Sequence, residues 1–298
     1  VSIRLDARRD RPWERDPQMF KHPELLAWVR ERRDDLVRAV MLLIRAWVAA
    51  GRPSDGVPTL GSYEAWAKCI GGILTHAGIP GVTWIGHATL LVRLGGLNVL
   101  TDPHFSERAS PVGFAGPKRY QPPGVALDEL PEIHAVVISH SHYDHLDVDS
   151  VRQLHARSGG ALRFFVPLGL KPWFAELGID NVTELDWWEH VELGGVRFTL
   201  TPAQHWSARG LFGRNQTLWG GWAIQASDFN FFFAGDTGYS ADFVQIRRRL
   251  GPFDLAAIPI GAYEPRWFMR IQHVDPAEAL RIHQDLGTRQ SLGVHWGT

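Results

Sequence analysis

A block of side chains suited to metal binding lies near the middle of the chain. His140, His142, Asp144 and His145 fall within six consecutive residues. They directly follow the apolar run 135–139, which the pattern predicts as a buried strand. Neutral imidazoles and carboxylates are good ligands for zinc and similar divalent ions, and four of them in one block suit two ions better than one. A histidine-rich polar loop without a metal is the alternative, and the density of ligand types favours a dinuclear metal site.

Three further ligand-type residues stand at the ends of other predicted strands. His205 comes shortly after one such strand, and Asp236 and His295 each end another. This layout repeats that of the strand before His140. An aspartate after a run of core residues is costly unless it is paired or bound to a metal. For His205 and His295 a structural role remains open when each is taken alone, but the shared layout indicates ligands.

Composition and charge exclude several classes of protein. The 298 residues are 45% hydrophobic and 21% charged, as in a globular protein with an ample core. The formal net charge of −1 gives no electrostatic basis for nucleic-acid binding. The single cysteine, Cys69, rules out an internal disulfide and fits a reducing compartment. No signal peptide is visible and the most apolar stretch, 39–50, is too short to span a bilayer, so we expect a cytoplasmic or peripheral membrane location.

Hydrophobic periodicity divides the chain at residue 81. Residues 1–81 have helical spacing, with a helix or helix pair predicted over 25–47 and another helix over 62–75. From residue 82 onward short strands alternate with helices, which indicates an α/β protein with helices outside its sheets. The strands are predicted over 89–94, 97–101, 135–139, 163–166, 181–185, 196–201, 222–225, 231–234, 254–259 and 291–295, and the helices over 147–156, 172–178, 241–250 and 276–286. Asp275, Pro276 and Glu278 form a start signal for the last helix.

Longer motifs in the second part resemble a known family. The block 138–147, the distant His205, the Gly-Asp pair at 235–236 and the late His295 are typical of the metallo-β-lactamase fold superfamily. Within it, residues 82–298 are similar to the N-acylphosphatidylethanolamine-hydrolysing phospholipase D family. The segments that carry this narrower similarity are 83–89, 100–103, 108–111, 116–119, 165–170, 184–189, 204–206, 232–239, 251–269, 272–276 and 295–298. The longest includes Ile-Pro-Ile-Gly-Ala-Tyr-Glu-Pro at 258–265, which is specific to this family.

The resemblance implies a fold and a metal site. The fold is the metallo-β-lactamase αββα sandwich, of the α/β class, preceded by a small helical N-terminal segment. Two zinc ions are implied, one held by His140, His142 and His205, the other by Asp144, His145 and His295, with Asp236 bridging both. Such a pair of ions lowers the pKa of a shared water to roughly 7 and supplies hydroxide at neutral pH.

The resemblance also implies roles for residues around the metals. Asp102 and Asp147 are expected to orient ligand imidazoles through hydrogen bonds. Asp144, Gln272 and His273 are the expected catalytic residues, and the last two match a family segment that lines the substrate side of the site. A structural role for His273 is the alternative.

Two regions depart from the family pattern. Residues 1–81 are similar instead to the helical region after the ATPase core of primase-helicases from phages and mobile elements, but without a Walker motif, so no helicase activity is implied. The family continues beyond the position of His295, so we expect a C-terminally truncated domain with its final ligand near a fraying end.

His87, in a Gly-His-Ala-Thr segment, is interpreted as structural, or at most as a support behind the ligands.

The function implied by the resemblance is that of a zinc phosphodiesterase of the phospholipase D type. It would hydrolyse N-acylphosphatidylethanolamine to N-acylethanolamine and phosphatidic acid through a metal-bridging hydroxide. A phospholipid substrate and a peripheral membrane contact are the expected partners, and no nucleic acid is expected for residues 82–298. Two alternatives stay open. The same site could hydrolyse an ester, lactone, thioester or RNA phosphodiester, or the chain could be an inactive chimeric or truncated protein.

Overall fold

The computed structural model describes residues 25–54, 64–210 and 213–296. The chain divides into two compact units, Val1–Pro53 and Ser54–Thr298. Helix α3 (Glu64–His76) therefore belongs to the second unit, although its residues lie within the predicted N-terminal segment 1–81. The proposed separate origin of residues 1–81 and 82–298 stays a prediction. No helix among the described residues is long and apolar enough to cross a membrane.

The first unit is helical where it is described. Its helices are α1 (Leu25–Glu31) and α2 (Arg33–Ala49), so the periodic pattern over 25–47 forms a pair of helices. Trp47 is the buried residue of α2, and its indole N–H donates a 2.8 Å hydrogen bond to the carbonyl of Pro53. The similarity to primase-helicases over residues 6–23, and the predicted helix start at residue 62, lie outside the described residues.

Six strands form the first sheet, and they lie in sequence order. They are β1 (Gly81–Gly86), β2 (Thr89–Leu94), β3 (Leu97–Thr101), β4 (Ala135–Val137), β5 (Arg163–Pro167) and β6 (Val182–Leu185). β1 to β3 pair antiparallel and β3 to β6 pair parallel. A Gly95-Gly96 turn joins β2 to β3 with φ of 55° and 78°, values that glycine adopts without steric cost. Parallel pairing brings the carboxyl ends of β3, β4 and β5 to one edge of the sheet.

The second sheet also has six strands, in the order β12-β11-β10-β9-β8-β7. They are β7 (His190–Leu193), β8 (Val196–Thr201), β9 (Gly221–Gln225), β10 (Asn230–Phe233), β11 (Leu255–Pro259) and β12 (Gln290–Val294). β7 to β10 pair antiparallel, whereas β10, β11 and β12 pair parallel. Two antiparallel steps separate β8 from β10, so β8, β10 and β12 run in the same direction and end at the same edge.

Helices cover the outer face of each sheet. They are α4 (Val148–Arg157), α5 (Lys171–Glu176), α6 (Asp242–Leu250) and α8 (Pro276–Leu286). Two shorter elements, α7 (Arg266–Met269) and a 3-10 helix at Leu127–Glu129, have no buried residues. Buried side chains of α4 and α5 pack on the first sheet, and those of α6 and α8 pack on the second. A third apolar layer joins the two sheets.

Successive residues of the central strands point into different layers. Val136 of β4 packs outward with α4 and α5, whereas Val137 packs inward against the second sheet. Phe232 of β10 packs outward with α6 and α8, and Phe233 packs inward. Strands that are buried on both faces have continuous apolar sequences, and this is the pattern that predicted strands over 135–139 and 231–234. The predicted αββα sandwich is confirmed.

Local signals account for which elements the sequence predicts. The start of α8 is confirmed, because the carboxylate of Asp275 accepts the N–H of Glu278 at 2.8 Å and Pro276 is the first helical residue. Three elements, β1, β7 and α7, are not among the predictions. β1 and β7 are edge strands with half-exposed residues, so they lack a strong alternation of apolar and polar residues. α7 has only four residues, which is too short to show a helical period.

Candidate metal centre

The residues from His140 to His145, here called the ligand loop, connect the end of β4 to the start of α4. β4 ends at Val137, and the side chain of Asp147 caps the first turn of α4. Within the loop, the carbonyl of His142 accepts the N–H of His145 at 3.1 Å, which closes a tight turn. The turn brings four predicted ligands to one point at the carboxyl end of a parallel strand, where open α/β sheets bind ligands.

Three other predicted ligands come from the second sheet and are here called the strand-end ligands. His205 follows β8, Asp236 follows β10 and His295 directly follows β12. Because these three strands end at the same edge, their side chains converge although they are far apart in sequence. Asp236 and His295 are buried, with exposed fractions of 4% and 7%.

His140, His142 and His205 form the first ligand group. Nε2 of His140 lies 2.8 Å from Nδ1 of His142, which lies 3.4 Å from Nε2 of His205. Tetrahedral ligands at about 2.0–2.1 Å from a zinc ion lie roughly 3.3 Å from one another. The three nitrogens therefore have the spacing of donors around one ion.

Asp144, His145 and His295 form the second ligand group. Oδ2 of Asp144 lies 3.3 Å from Nε2 of His145 and 3.5 Å from Nε2 of His295. Oδ2 of Asp236 lies 3.3 and 3.2 Å from the same two nitrogens. It also lies 4.0 and 3.9 Å from Nε2 of the first-group histidines His140 and His205. One carboxylate thus reaches both groups, as a bridging ligand must.

Several buried polar atoms in these groups make no hydrogen bond within the described part of the chain. They are Nε2 of His145, Nε2 of His295 and Oδ1 of Asp236. Buried polar groups are normally hydrogen-bonded, and each exception needs an explanation. A cluster of imidazole nitrogens and carboxylate oxygens pointing at one another fits divalent ions with nitrogen and oxygen ligands.

The histidines of the first group are held in the neutral form. Burial lowers the pKa of His142 to about 4 and that of His205 to about 3, and the carboxylates nearby only partly oppose this. The pKa of His140 is lowered well below its usual range by burial and by the adjacent imidazoles. A neutral imidazole is the form that binds a metal ion, so the first group is ready to coordinate at neutral pH.

The second group is electrostatically different. Burial alone would lower the pKa of His295, but the carboxylates of Asp236 and Asp144 outweigh it and raise that pKa to about 9. The pKa of His145 is likewise raised well above its usual range against the effect of burial. The same contacts hold the pKa values of both carboxyl groups well below their usual range. A divalent cation would take the place of these protons.

Asp102 contacts one candidate ligand imidazole directly and a second one through Ser139. Its buried carboxylate lies 2.7 Å from Nδ1 of His145 and accepts hydrogen bonds from the backbone N–H and hydroxyl of Ser139. The same hydroxyl lies 2.9 Å from Nδ1 of His140. Hydrogen bonds to both Nδ1 atoms leave Nε2 of each ring free to face the metal position. Ser139 has no motif that marks it, so sequence reasoning missed it.

Gln272 and His273 lie at the first ligand group. The carbonyl of Gln272 is 3.0 Å from Nδ1 of His205 and fixes the ring with Nε2 toward the metal position. Its side chain lines the cavity over the ligands, as predicted. Nδ1 of His273 lies 3.8 Å from Oδ2 of Asp236, and burial lowers the pKa of His273, so its imidazole is neutral.

Asp147 does not orient an imidazole in the way that the resemblance implied. Its carboxylate caps α4 by accepting the N–H of Ser150, and it accepts the hydroxyl of Ser106 at 2.7 Å. Among the described residues, the hydrogen bonds of its carboxylate go to these two serines. Asp147 is directly followed by Val148, the first residue of α4, and an Asp at this position satisfies free N–H groups of the first turn. Its contribution to the ligand loop is therefore indirect.

Arg209 clamps the ligand loop from outside, and sequence reasoning missed it. Its Nη1 donates to the carbonyl of Ser141 at 3.1 Å and to that of Leu146 at 2.6 Å, on either side of the loop's last four residues. Its guanidinium lies 4.4 Å from the ring centre of Tyr143 and 4.7 Å from that of Trp173. A lone arginine after a strand has no sequence signal that distinguishes it from a surface residue.

A cavity of about 530 Å³ opens onto the ligands. His142, Asp144, Asp236 and His295 form its floor. Lys118 and Arg119 lie on its wall, and the rest of the lining is largely apolar, with Trp206, Phe268 and Met269 among its residues. A site with metal ligands below, cations at the side and apolar walls suits an amphiphilic molecule with an anionic group.

Comparisons with known proteins agree with this geometry. A β-lactamase superfamily domain matches residues 97–296. The chain is 49% identical over 226 residues to N-acyl-phosphatidylethanolamine-hydrolyzing phospholipase D 1 of Caenorhabditis elegans, covering 72% of this chain and 63% of that protein. It is 38% identical over 223 residues to the mitochondrial enzyme of that name from Saccharomyces cerevisiae, covering 72% and 47%. The chain thus spans less than two thirds of the length of these curated relatives.

Solved structures share the fold at lower identity. Igni18, a metallo hydrolase from the archaeon Ignicoccus hospitalis, matches with a TM-score of 0.56 at 22% identity, covering 73% of this chain and 82% of that one. The match supports the two-sheet architecture. The chain belongs to the β-lactamase superfamily, and its relatives there include N-acylphosphatidylethanolamine-hydrolysing phospholipases D.

Proposed function

We propose that the chain is a dinuclear zinc hydrolase of the phospholipase D type. The observation that carries the proposal is the position of Oδ2 of Asp236, within 4.0 Å of donor atoms in both ligand groups. The donors are imidazole nitrogens and carboxylate oxygens, which zinc accepts. Bound zinc ions would lower the pKa of a shared water and neutralise negative charge that builds on a phosphodiester.

The protein residues divide the remaining work. The two ligand groups would hold the ions, with Asp236 in contact with both. Asp144 would help to hold the second ion, and it also lines the cavity, where its carboxylate could accept a proton from the attacking water. Neutral His273 lies beside Asp236 and is placed to accept or pass on a proton near the leaving group. The side-chain amide of Gln272 can donate a hydrogen bond to a substrate oxygen.

A phospholipid fits the cavity better than a small polar substrate does. Its phosphodiester would lie over the metal positions, with Lys118 and Arg119 on the adjacent wall. Acyl chains would contact the apolar wall near Phe268 and Met269. Together with the names of the relatives, this supports N-acylphosphatidylethanolamine as substrate, with N-acylethanolamine and phosphatidic acid as products.

Exposed aromatic side chains near the cavity support a peripheral membrane contact. Phe114 and Tyr120 flank Lys118 in one loop, and Trp267 precedes Phe268 in α7. Phe114, Tyr120 and Trp267 are each at least 85% exposed. Single exposed apolar residues are common, but exposed aromatic residues on a loop and a short helix that both contribute to one opening suit the interface of a bilayer. This would place the protein in the cytoplasm or on a membrane surface.

The test measures metal content and hydrolysis on the same sample. Zinc is determined by elemental analysis, and turnover is followed on N-acylphosphatidylethanolamine vesicles and on a soluble phosphodiester. We expect two zinc ions per chain and release of phosphatidic acid. Fewer than two metals with no turnover of either substrate would refute the enzyme proposal and favour an inactive chain. Turnover of an ester, lactone or thioester without phosphodiester hydrolysis would keep the metal site and refute the lipid substrate.

A further inference from the structure

His87 has an unusual backbone conformation in the turn between β1 and β2. Its φ is +51°, in the left-handed region that a side chain with a Cβ seldom adopts. Its carbonyl accepts two hydrogen bonds, each 3.0 Å long, from the N–H of His295 and from the indole N–H of Trp84. A strained residue persists only when its surroundings fix it, and such residues concentrate at functional sites.

The ring of His87 faces the second ligand group. Its Nε2 lies 2.9 Å from Oδ2 of Asp144. The ring centre lies 4.1 Å from that of His295 and 5.3 Å from that of His145. His87 therefore contacts all three members of this group, two through its ring face and one through a hydrogen bond.

We propose that His87 is a positioning residue for the second ligand group. Its ring donates Nε2–H to the carboxylate of Asp144, and its carbonyl holds the backbone of His295 in place. A nitrogen that donates this hydrogen bond cannot bind a metal at the same time, so His87 supports the ligands without being one. The inference rests on the two-metal site proposed above. It adds that the two metal positions differ, because His87 supports only the second one.

The asymmetry has a measurable consequence. Residues that orient metal ligands typically change metal affinity by about 10–100-fold when they are replaced. Loss of the His87 ring should weaken the second position by this factor and leave the first position, built from His140, His142 and His205, unchanged. A residue needed only for folding would instead lower the stability of the metal-free protein and affect both positions alike.

Two substitutions separate the ring from the backbone. His87→Gly removes the ring and adopts a positive φ without steric cost. His87→Gln restores an N–H donor close to the position of Nε2. His134→Asn is the matched control, because Nδ1 of His134 accepts a single hydrogen bond, from the N–H of Asn98 at 2.9 Å, away from the ligand groups.

The experiment loads each full-length variant with zinc and dialyses it against increasing chelator. Retained zinc is measured by elemental analysis, and thermal unfolding is recorded for the metal-free protein. We expect wild type and H134N to retain two ions at chelator concentrations where H87G retains one, with partial recovery in H87Q. Equal retention by H87G and wild type, or equal loss from both positions, would overturn the inference. Fewer than two ions in wild type would instead contradict the two-metal proposal itself.

Discussion

The two sheets supply metal ligands in different ways. The first sheet supplies the ligand loop, in which four candidate ligands occupy six residues between one strand and one helix. The second sheet supplies the strand-end ligands His205, Asp236 and His295 from three strands that are separated by long stretches of chain. The ligand loop is shaped by a local turn and a helix cap, whereas the strand-end ligands meet only because their strands pack side by side.

Local order and long-range order each contribute residues to both proposed metal positions. The first ligand group combines two residues of the ligand loop with His205, and the second combines two others with His295. Asp236 lies between them and touches both groups. Neither sheet alone supplies all the residues of either ligand group. The geometry of the site therefore depends on how the two sheets pack against each other.

Asp236→Asn should have the largest effect, because this strand-end ligand serves both positions. The amide keeps the shape of the side chain but cannot bridge two cations as a carboxylate does. We expect loss of both zinc ions at chelator concentrations that wild type tolerates, and a fall in turnover beyond the roughly 100-fold typical of supporting residues. Asp254→Asn is the control, since Asp254 pairs with Arg289 at 3.2 Å outside the site. Retention of two ions by D236N would refute the bridging role.

His142→Ala and His295→Ala test whether the loop and the strand ends contribute separately. His142 belongs to the first ligand group and His295 to the second, so each variant should retain one zinc ion and lose most turnover. Elemental analysis after dialysis counts the remaining ion. If H142A loses both ions, the two groups are not independent and the comparison fails. Full activity in H142A would refute the assignment of the site.

The ligand loop could be predicted from sequence because its signal is local. Four potential metal ligands in six residues after an apolar run are rare without a metal. The strand-end ligands were predicted less directly, since Asp236 and His295 stand out only as polar residues that end apolar strands. Their convergence depends on strand order, which neither composition nor periodicity contains, and the family resemblance supplied it.

The supporting residues show where sequence reasoning ends. Ser139 and Arg209 act through a hydroxyl and a guanidinium that reach parts of the chain distant in sequence. His87 was interpreted as structural, or at most as a support behind the ligands, and its left-handed backbone and its contact with Asp144 exist only in the folded chain. Asp147 was given the same role as Asp102, although its carboxylate caps a helix. Residue type and spacing do not distinguish a helix cap from a partner of a ligand imidazole.

Arg209→Gln should weaken the ligand loop without unfolding the protein. The substitution removes the clamp on the carbonyls of Ser141 and Leu146, so both positions should lose zinc about 10–100-fold more readily. Arg209→Lys keeps the charge but loses the planar guanidinium that stacks on Tyr143 and Trp173, so its zinc retention should lie between that of R209Q and wild type. Arg249→Gln is the matched control, because Arg249 also stacks on a tryptophan, Trp188, at 4.1 Å. Equal zinc retention in R209Q and R249Q would show that the clamp is dispensable.

Removing the metal should make stability depend on pH. In the metal-free protein the pKa of His295 is raised from its ordinary 6.5 to about 9 by Asp236 and Asp144, against the effect of burial. A raised pKa contributes stability that is fully present below pH 6.5 and is lost as pH rises through 9. The difference in Tm between zinc-loaded and metal-free protein should therefore widen from pH 6.5 to 9. His295→Gln has no proton to lose, so its metal-free Tm should be flatter in this range, and an equally steep curve would contradict this origin.

The smallest expected effect on zinc retention comes from replacing a helix cap. Two caps can be compared, of which only one adjoins the ligand loop. Asp147 caps α4 directly after the loop, and Asp275 caps α8 with the N–H of Glu278. Replacing either with Ala should cost about 1 kcal/mol of unfolding free energy, the usual contribution of a cap. Only Asp147→Ala should also release zinc more readily, because a frayed first turn of α4 loosens the loop that precedes it. Chemical denaturation and zinc retention, measured on both variants, test this difference, and equal zinc loss from both would mean that the loop gains its order from the sheets alone.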